Sequence, residues 1–173
     1  MKKLLYILGG IVLVVVLAFV AAGVIIPSER SFTQVTEIEA SPETVWAVLN
    51  DREKYLEWQD QLTKIEITDE THWTEYPKNA DPLKLTITGR DEGRSMDITY
   101  SMDNGFEGSW RGELSPRGEQ RTLIRTTDKM VTNGWIMKIM MAMFFDIEDF
   151  AKDWNQKLKK RCEDEERVKS DER

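Results

Sequence analysis

The chain has 173 residues and a formal net charge of −7, with 40% hydrophobic and 32% charged residues. These values fit one folded domain and exclude a chain that is disordered throughout. Lys2 and Lys3 are the only charged residues before position 27, so residues 27–173 carry a net charge of −9. A domain with this much negative charge is unsuited to binding the phosphates of nucleic acid. One cysteine and one histidine rule out an intrachain disulfide framework and His-rich or cysteine-based metal sites.

The N-terminal segment from Leu4 to Ile26 has 23 residues and no charge. As a helix it would be about 34 Å long, enough to cross a hydrocarbon core of about 30 Å. Because Lys2 and Lys3 precede it, the positive-inside rule predicts a single-pass protein with a cytoplasmic N-terminus and an extracytoplasmic domain. A cleaved signal peptide is the alternative, since the run at 20–22 resembles a cleavage site. The apolar run continues past that point, which favours an uncleaved anchor over residues 1–26.

After this segment the pattern predicts a strand and then a helix. Residues 32–40 are rich in Thr, Val and Ile, which is typical of a strand. Ser41-Pro42-Glu43 is a helix start, because serine caps, proline suits the first helical position and an acidic residue favours the positive helix end. A second short helical turn is expected at 52–57.

Six segments that alternate apolar and polar residues follow, separated by turn signals such as Asp103-Asn104-Gly105. They lie at 62–68, 71–76, 83–88, 96–102, 106–114 and 120–131. Successive hairpins with one apolar face predict an antiparallel sheet that is covered on one side.

The C-terminal part from Trp135 onward is predicted to form one helix of about 30 residues. Its apolar residues recur at spacings of three and four, namely Ile136, Met140, Met143, Ile147, Ala151, Trp154, Leu158 and Cys162. Residues 135–145 would be apolar on nearly every side of the helix, whereas packing on the sheet needs only one apolar stripe. The remaining apolar surface must therefore contact a cavity, a partner or the membrane. Residues 163–173 are rich in charge and are expected to be a frayed tail.

This order of elements, with the fragment IEASPETVWAVLNDREKYLEW, resembles the START-like helix-grip superfamily, also called SRPBCC. Within it, the chain is most similar to the polyketide cyclase/dehydrase and lipid-transport group. The matching features are Ser41-Pro42-Glu43, Val45-Trp46, Asp51, Trp58, Gly108-x-Trp110 and Leu158-Lys159-Lys160. The resemblance covers residues 32–162 and implies an α+β helix-grip fold, in which a curved antiparallel sheet of about seven strands wraps around the long C-terminal helix. It also implies an elongated cavity between sheet and helix that binds an apolar small molecule or lipid.

The resulting domain prediction is a transmembrane anchor over 1–26, a helix-grip domain over 27–162 and a charged tail over 163–173. Ten apolar and aromatic residues are candidates for lining the cavity: Trp73, Leu85, Ile87, Ile98, Tyr100, Trp110, Met140, Met143, Phe144 and Ile147. Methionine suits such a role because it is flexible and polarizable, although each of these side chains could equally fill the core. No phosphate loop, dinucleotide fingerprint or hydrolase elbow occurs, so the sequence predicts no catalytic residue, metal or cofactor.

Three functions remain open on this basis. The favoured one is a membrane-anchored domain that binds a hydrophobic small molecule or lipid in an internal cavity. The alternatives are a cyclase or dehydratase that uses the same cavity, and a membrane-tethered interaction module with a filled core. An open cavity would separate the third from the other two, and polar side chains converging inside it would separate the enzyme from the binder.

Overall fold

The computed structural model describes residues 2–172. The helices are α1 (Lys2–Ile25), α2 (Pro42–Asn50), α3 (Tyr55–Trp58), α4 (Trp135–Phe144) and α5 (Ile147–Asp171), with a 3₁₀ turn at Arg52–Lys54. The strands are β1 (Glu29–Ile38), β2 (Leu62–Ile67), β3 (His72–Pro77), β4 (Leu83–Asp91), β5 (Ser95–Ser101), β6 (Phe106–Pro116) and β7 (Thr122–Thr132). The predicted order from β1 to β7 is confirmed, with strand ends that shift by a few residues.

All seven strands form one antiparallel sheet in the order β1-β7-β6-β5-β4-β3-β2. Neighbouring strands run in opposite directions, so each end of the sheet contains strand starts and strand ends. One end, which we call the α1 end because α1 leads directly into β1 there, holds the first residues of β1, β2, β4 and β6 and the last residues of β3, β5 and β7. The other end is the α2 end, because β1 finishes there and leads into α2. The predicted fold class, a curved sheet combined with a long C-terminal helix, is confirmed.

The α2 end is closed by a tightly packed core. Val45 on α2, Ile124 on β7 and both Leu158 and Cys162 on α5 have no exposed surface. Ser41 caps α2 as predicted, since its Oγ accepts a hydrogen bond of 3.3 Å from the backbone N–H of Thr44. The core cluster contains residues between Ile38 and Cys162 and none from α1, so the domain has a core of its own.

The predicted single C-terminal helix is instead two helices. Phe145 and Asp146 adopt extended backbone conformations and separate α4 from α5. The Asp146 side chain accepts hydrogen bonds from the N–H groups of Glu148 and Asp149, at 2.9 and 3.3 Å, and so caps α5. The apolar spacing that predicted one helix is therefore interrupted by a helix start.

The prediction of a frayed tail at 163–173 is also wrong, because α5 continues to Asp171. Glu163 accepts a hydrogen bond of 3.0 Å from the N–H of Glu39. Glu166 accepts from both the N–H and the Oγ of Ser41, at 3.3 and 3.1 Å, and from the Thr44 hydroxyl. Acidic side chains at the N-terminal end of a helix satisfy free backbone donors and complement its dipole, which explains why this acidic segment stays ordered.

The N-terminal helix is long and apolar enough to cross a membrane by length and composition. Its span Tyr6–Ile25 has a mean hydropathy of 2.9, and its described side chains are mostly exposed. A signal sequence near an N-terminus would pass the same test.

Candidate functional site

A cavity of about 360 Å³ lies between the concave face of the sheet, the start of α5 and the α2–α3 segment. Six of the ten predicted residues line it: Trp73, Leu85, Ile98, Tyr100, Trp110 and Ile147. The strand alternation places the sheet members on one face, as the register pairs Leu85 with Tyr100 and Ile98 with Trp110. Much of the apolar wall, although not all of it, therefore follows from strand alternation in the sequence.

The other four predicted residues lie elsewhere. Ile87 is half-buried against the core but is not part of the cavity wall. Met140, Met143 and Phe144 lie on α4, where they are 49%, 66% and 73% exposed. The reason is the break at 145–146, which leaves α4 packed against α1 and β7 rather than over the cavity.

Two glycines shape the aromatic part of the wall. A Cβ on Gly108 would come within 2.4 Å of the Tyr100 ring, and a Cβ on Gly112 within 2.3 Å of the Trp110 ring. Both aromatic rings therefore lie directly over glycine backbone, which a larger residue would prevent. The Tyr100 hydroxyl donates a hydrogen bond of 3.2 Å to the carbonyl of Lys129.

The helix side of the wall is also aromatic. The Trp154 ring packs edge-on against Trp110 and Trp58, with ring centroids 5.4 and 5.7 Å apart. Edge-to-face packing fixes these rings relative to each other. Trp110 on β6 and Trp154 on α5 thus form an aromatic part of the cavity wall, while Trp58 on α3 contacts Trp154 without lining the cavity.

Two buried carboxyl groups line the cavity, and the sequence analysis did not find them. Glu75 on β3 is 9% exposed, and its Oε1 accepts a hydrogen bond of 3.0 Å from Trp73 Nε1. Burial raises the pKa of Glu75 to about 7, while that hydrogen bond acts in the opposite direction. Asp128 on β7 is 7% exposed, and burial raises its pKa to about 7 as well.

A signal for both was present in the sequence. Glu75 is two residues from Trp73, and Asp128 is two residues from Met130, so each shares the apolar face of its strand. A charged residue in phase with apolar neighbours is the pattern that distinguishes an inward carboxyl from a solvated one.

Trp110 adds an unused hydrogen-bond donor beside one of these carboxyls. Its Nε1 is buried and has no partner among the described residues. Asp128 lies directly opposite Trp110 in the β6–β7 register, and both line the cavity. The wall is thus mainly apolar, with an indole N–H and two carboxyls that can change protonation near neutral pH. Such a site can hold an apolar molecule and orient one polar group.

No group of three or more His, Cys, Asp or Glu residues within residues 2–172 is arranged to hold a metal ion.

Solved structures with the same fold share little sequence identity with this chain. A START superfamily protein from Mycobacterium smegmatis superposes with a TM-score of 0.62 at 15% identity, covering 78% of this chain and 97% of its own. A conserved protein from Geobacillus kaustophilus gives 0.65 at 14% identity, with coverages of 77% and 95%. Norcoclaurine synthase from Thalictrum flavum, in complex with dopamine and hydroxybenzaldehyde, gives 0.60 at 13% identity, with coverages of 81% and 89%.

At these identities the likeness establishes the fold alone. No curated protein matches the sequence. The family model for polyketide cyclase / dehydrase and lipid transport matches residues 29–163, which is most of the chain and contains the whole cavity wall. The chain therefore belongs to the polyketide cyclase/dehydrase and lipid-transport family.

Proposed function

We propose that the protein is a membrane-anchored domain that binds an apolar small molecule or lipid in this cavity. The observation that carries the proposal is the open, mainly apolar cavity of about 360 Å³, which is within the range of small-molecule sites. A filled core, as an interaction module would have, does not fit this volume. Burial of apolar ligand surface supplies the binding energy, at about 25 cal/mol per Å² removed from water.

The anchoring part of the proposal rests on α1 and the two lysines before it. The apolar span Tyr6–Ile25 is long enough to cross a bilayer, and its described side chains face no core. The charge distribution favours an extracytoplasmic domain. Protease added to intact spheroplasts should then digest the domain, and the protein should stay with membranes after a carbonate wash. A protease-resistant domain would contradict the orientation, and a soluble processed product would contradict the anchor.

Ligand binding is tested by titrating a fluorescent fatty-acyl probe into residues 27–173. We expect a Kd in the micromolar range or tighter, which corresponds to about 8 kcal/mol. Ile147→Trp places a larger ring at the cavity wall and should weaken binding at least about tenfold. The matched control is Met143→Trp on the exposed face of α4, which should bind as the unchanged protein does. Absence of probe binding, or equal behaviour of the two variants, would contradict the proposal.

Native mass spectrometry of the purified domain addresses the natural ligand. A co-purified molecule of defined mass should be released on unfolding, and Ile147→Trp should carry less of it than Met143→Trp. The same molecule would then identify the ligand class directly.

A second candidate function, proton-transfer catalysis, is favoured by Glu75 and Asp128. Carboxyls with a pKa near 7 in an apolar cavity are suited to general acid–base chemistry at neutral pH. The two functions predict different co-purified molecules in the double variant Glu75→Gln/Asp128→Asn. A binder should release a molecule of the same mass from variant and unchanged protein. A dehydratase should accumulate its unconverted substrate in the variant, so the recovered mass would be higher by one water.

A further inference from the structure

One face of α4 is apolar and exposed. Ile136, Met140, Met143 and Phe144 follow helical spacing and are between 49% and 73% exposed. Lys138 is the only charged residue of α4, and its Nζ donates a hydrogen bond of 3.4 Å to the carbonyl of Ile26, at the end of α1. The exposed face of α4 is therefore apolar and contains no charged side chain.

The first residue of α4, Trp135, contacts α1 next to this apolar face. The rings of Phe19 on α1 and Trp135 on α4 pack perpendicular to each other, with centroids 6.3 Å apart. A Cβ on Gly23 would come within 3.3 Å of the Trp135 Cβ, so the two helices are in direct contact at this point. Any bilayer crossed by α1 therefore reaches the start of α4.

The mouth of the cavity lies at the same end of the molecule. Among the residues that line the cavity, the exposed ones are Lys78, Asn79 and Ala80 in the β3–β4 loop and Phe150 at the start of α5. The β3–β4 loop lies at the α1 end of the sheet, because β3 ends there and β4 begins there. The Phe150 ring packs at an interplanar angle of 44° against Phe145, which directly follows α4, with ring centroids 5.6 Å apart. The opening is thus bordered on one side by Phe150, next to the end of α4, and on the other by the partly polar β3–β4 loop.

From these positions we infer that α4 lies in the interface of the bilayer that α1 crosses, and that the cavity exchanges its ligand directly with the lipid phase. The inference rests on the proposed anchoring and ligand binding. An apolar helix face inserts among the headgroups when it lies in the membrane plane. The acidic domain offers no general attraction to anionic lipid, so docking depends on apolar contact and requires only neutral phospholipid.

The test uses the full chain reconstituted in phosphatidylcholine vesicles. Cys162 is fully buried, and burial raises the pKa of its thiol to about 12, so an introduced surface cysteine is the reactive one. Met143→Cys and the control Val168→Cys are labelled with an environment-sensitive fluorophore. Both positions are apolar and exposed, at 66% and 55%, but Val168 lies near the end of α5.

We expect the label at position 143 to emit at shorter wavelength and to be quenched several-fold more by spin-labelled phosphatidylcholine than the label at 168. Equal quenching at the two positions, with both labels in water, would overturn the inference. In a second measurement, the Met143→Asp/Phe144→Asp variant should take up a fluorescent lipid from vesicles at least about tenfold more slowly than the control Val35→Asp/Val168→Asp. Equal uptake rates would overturn direct exchange.

Probe binding to residues 27–173 in solution separates the possible failures. If that domain binds the fatty-acyl probe but position 143 stays in water, only the membrane docking of α4 is wrong. If the domain binds no probe, the proposed ligand-binding function fails first, whatever the label reports.

Discussion

The two ends of the sheet contain similar apolar residues but use them differently. At the α2 end, α2 and the second half of α5 fill the space over the sheet, and Ile38, Val45, Ile124 and Leu158 are fully buried. At the α1 end, α4 packs outside the sheet, and the aromatic and aliphatic side chains border open space. Apolar composition alone therefore does not distinguish a core from a cavity. What distinguishes them is whether a second helix covers the same face.

The largest change in stability is expected when one leucine is truncated at each end, which tests whether the two ends are packed differently. Leu158→Ala should lower the free energy of unfolding by about 2–5 kcal/mol, because a fully buried side chain leaves a void. Leu85→Ala should cost less, below about 2 kcal/mol, because its side chain already borders open space. Urea denaturation of residues 27–173 measures both. Equal losses would mean that the α1 end is packed as tightly as the α2 end.

The next effect concerns the buried carboxyls at the α1 end. Each folded-state pKa lies above the ordinary value, so the folded protein binds more protons than the unfolded chain between about pH 4 and 7. Their contribution to stability is therefore greatest below the unfolded-state pKa and falls as the pH rises through 7. Glu75→Gln and Asp128→Asn should gain stability over the unchanged protein as the pH rises from 5 to 9, on the order of 3 kcal/mol each.

The control for this prediction is Glu119→Gln in an exposed turn. Its difference in unfolding free energy from the unchanged protein should be small at every pH. If the Glu75 and Asp128 variants gave differences equally independent of pH, the two carboxyls would not be buried in the cavity as described.

The smallest expected change in stability concerns the cap of α2 at the α2 end. Ser41→Ala removes the cap of α2 and one donor to Glu166, and should cost about 1 kcal/mol. Ser115→Ala, at an exposed position on β6, is the control and should be near neutral. Denaturant titration measures both variants. A neutral Ser41→Ala would show that the contact between α5 and α2 adds little to this end.

Most of the fold could be predicted from the sequence because strict alternation and the Ser41 cap are local signals. The break between α4 and α5 was missed since apolar spacing continues from Met143 to Ile147 across it. Asp146, followed by Glu148 and Asp149, was the readable sign of a new helix start. Only the part of the site that follows such local signals was predicted. The wall residues follow alternation, whereas the position of α4 depends on its contact with α1, which is distant in sequence.

The connection between α1 and β1 is short. Only residues 26–28 separate Ile25 from Glu29, and three extended residues span about 10 Å. With α1 in a bilayer as proposed, a domain held by so short a tether stays beside that membrane and moves by lateral diffusion within it. It cannot swing across to a second membrane, so delivery of a bound molecule over a distance requires an acceptor that comes to it. The proposed binding function would thereby be local loading or withdrawal of a molecule rather than long-range shuttling.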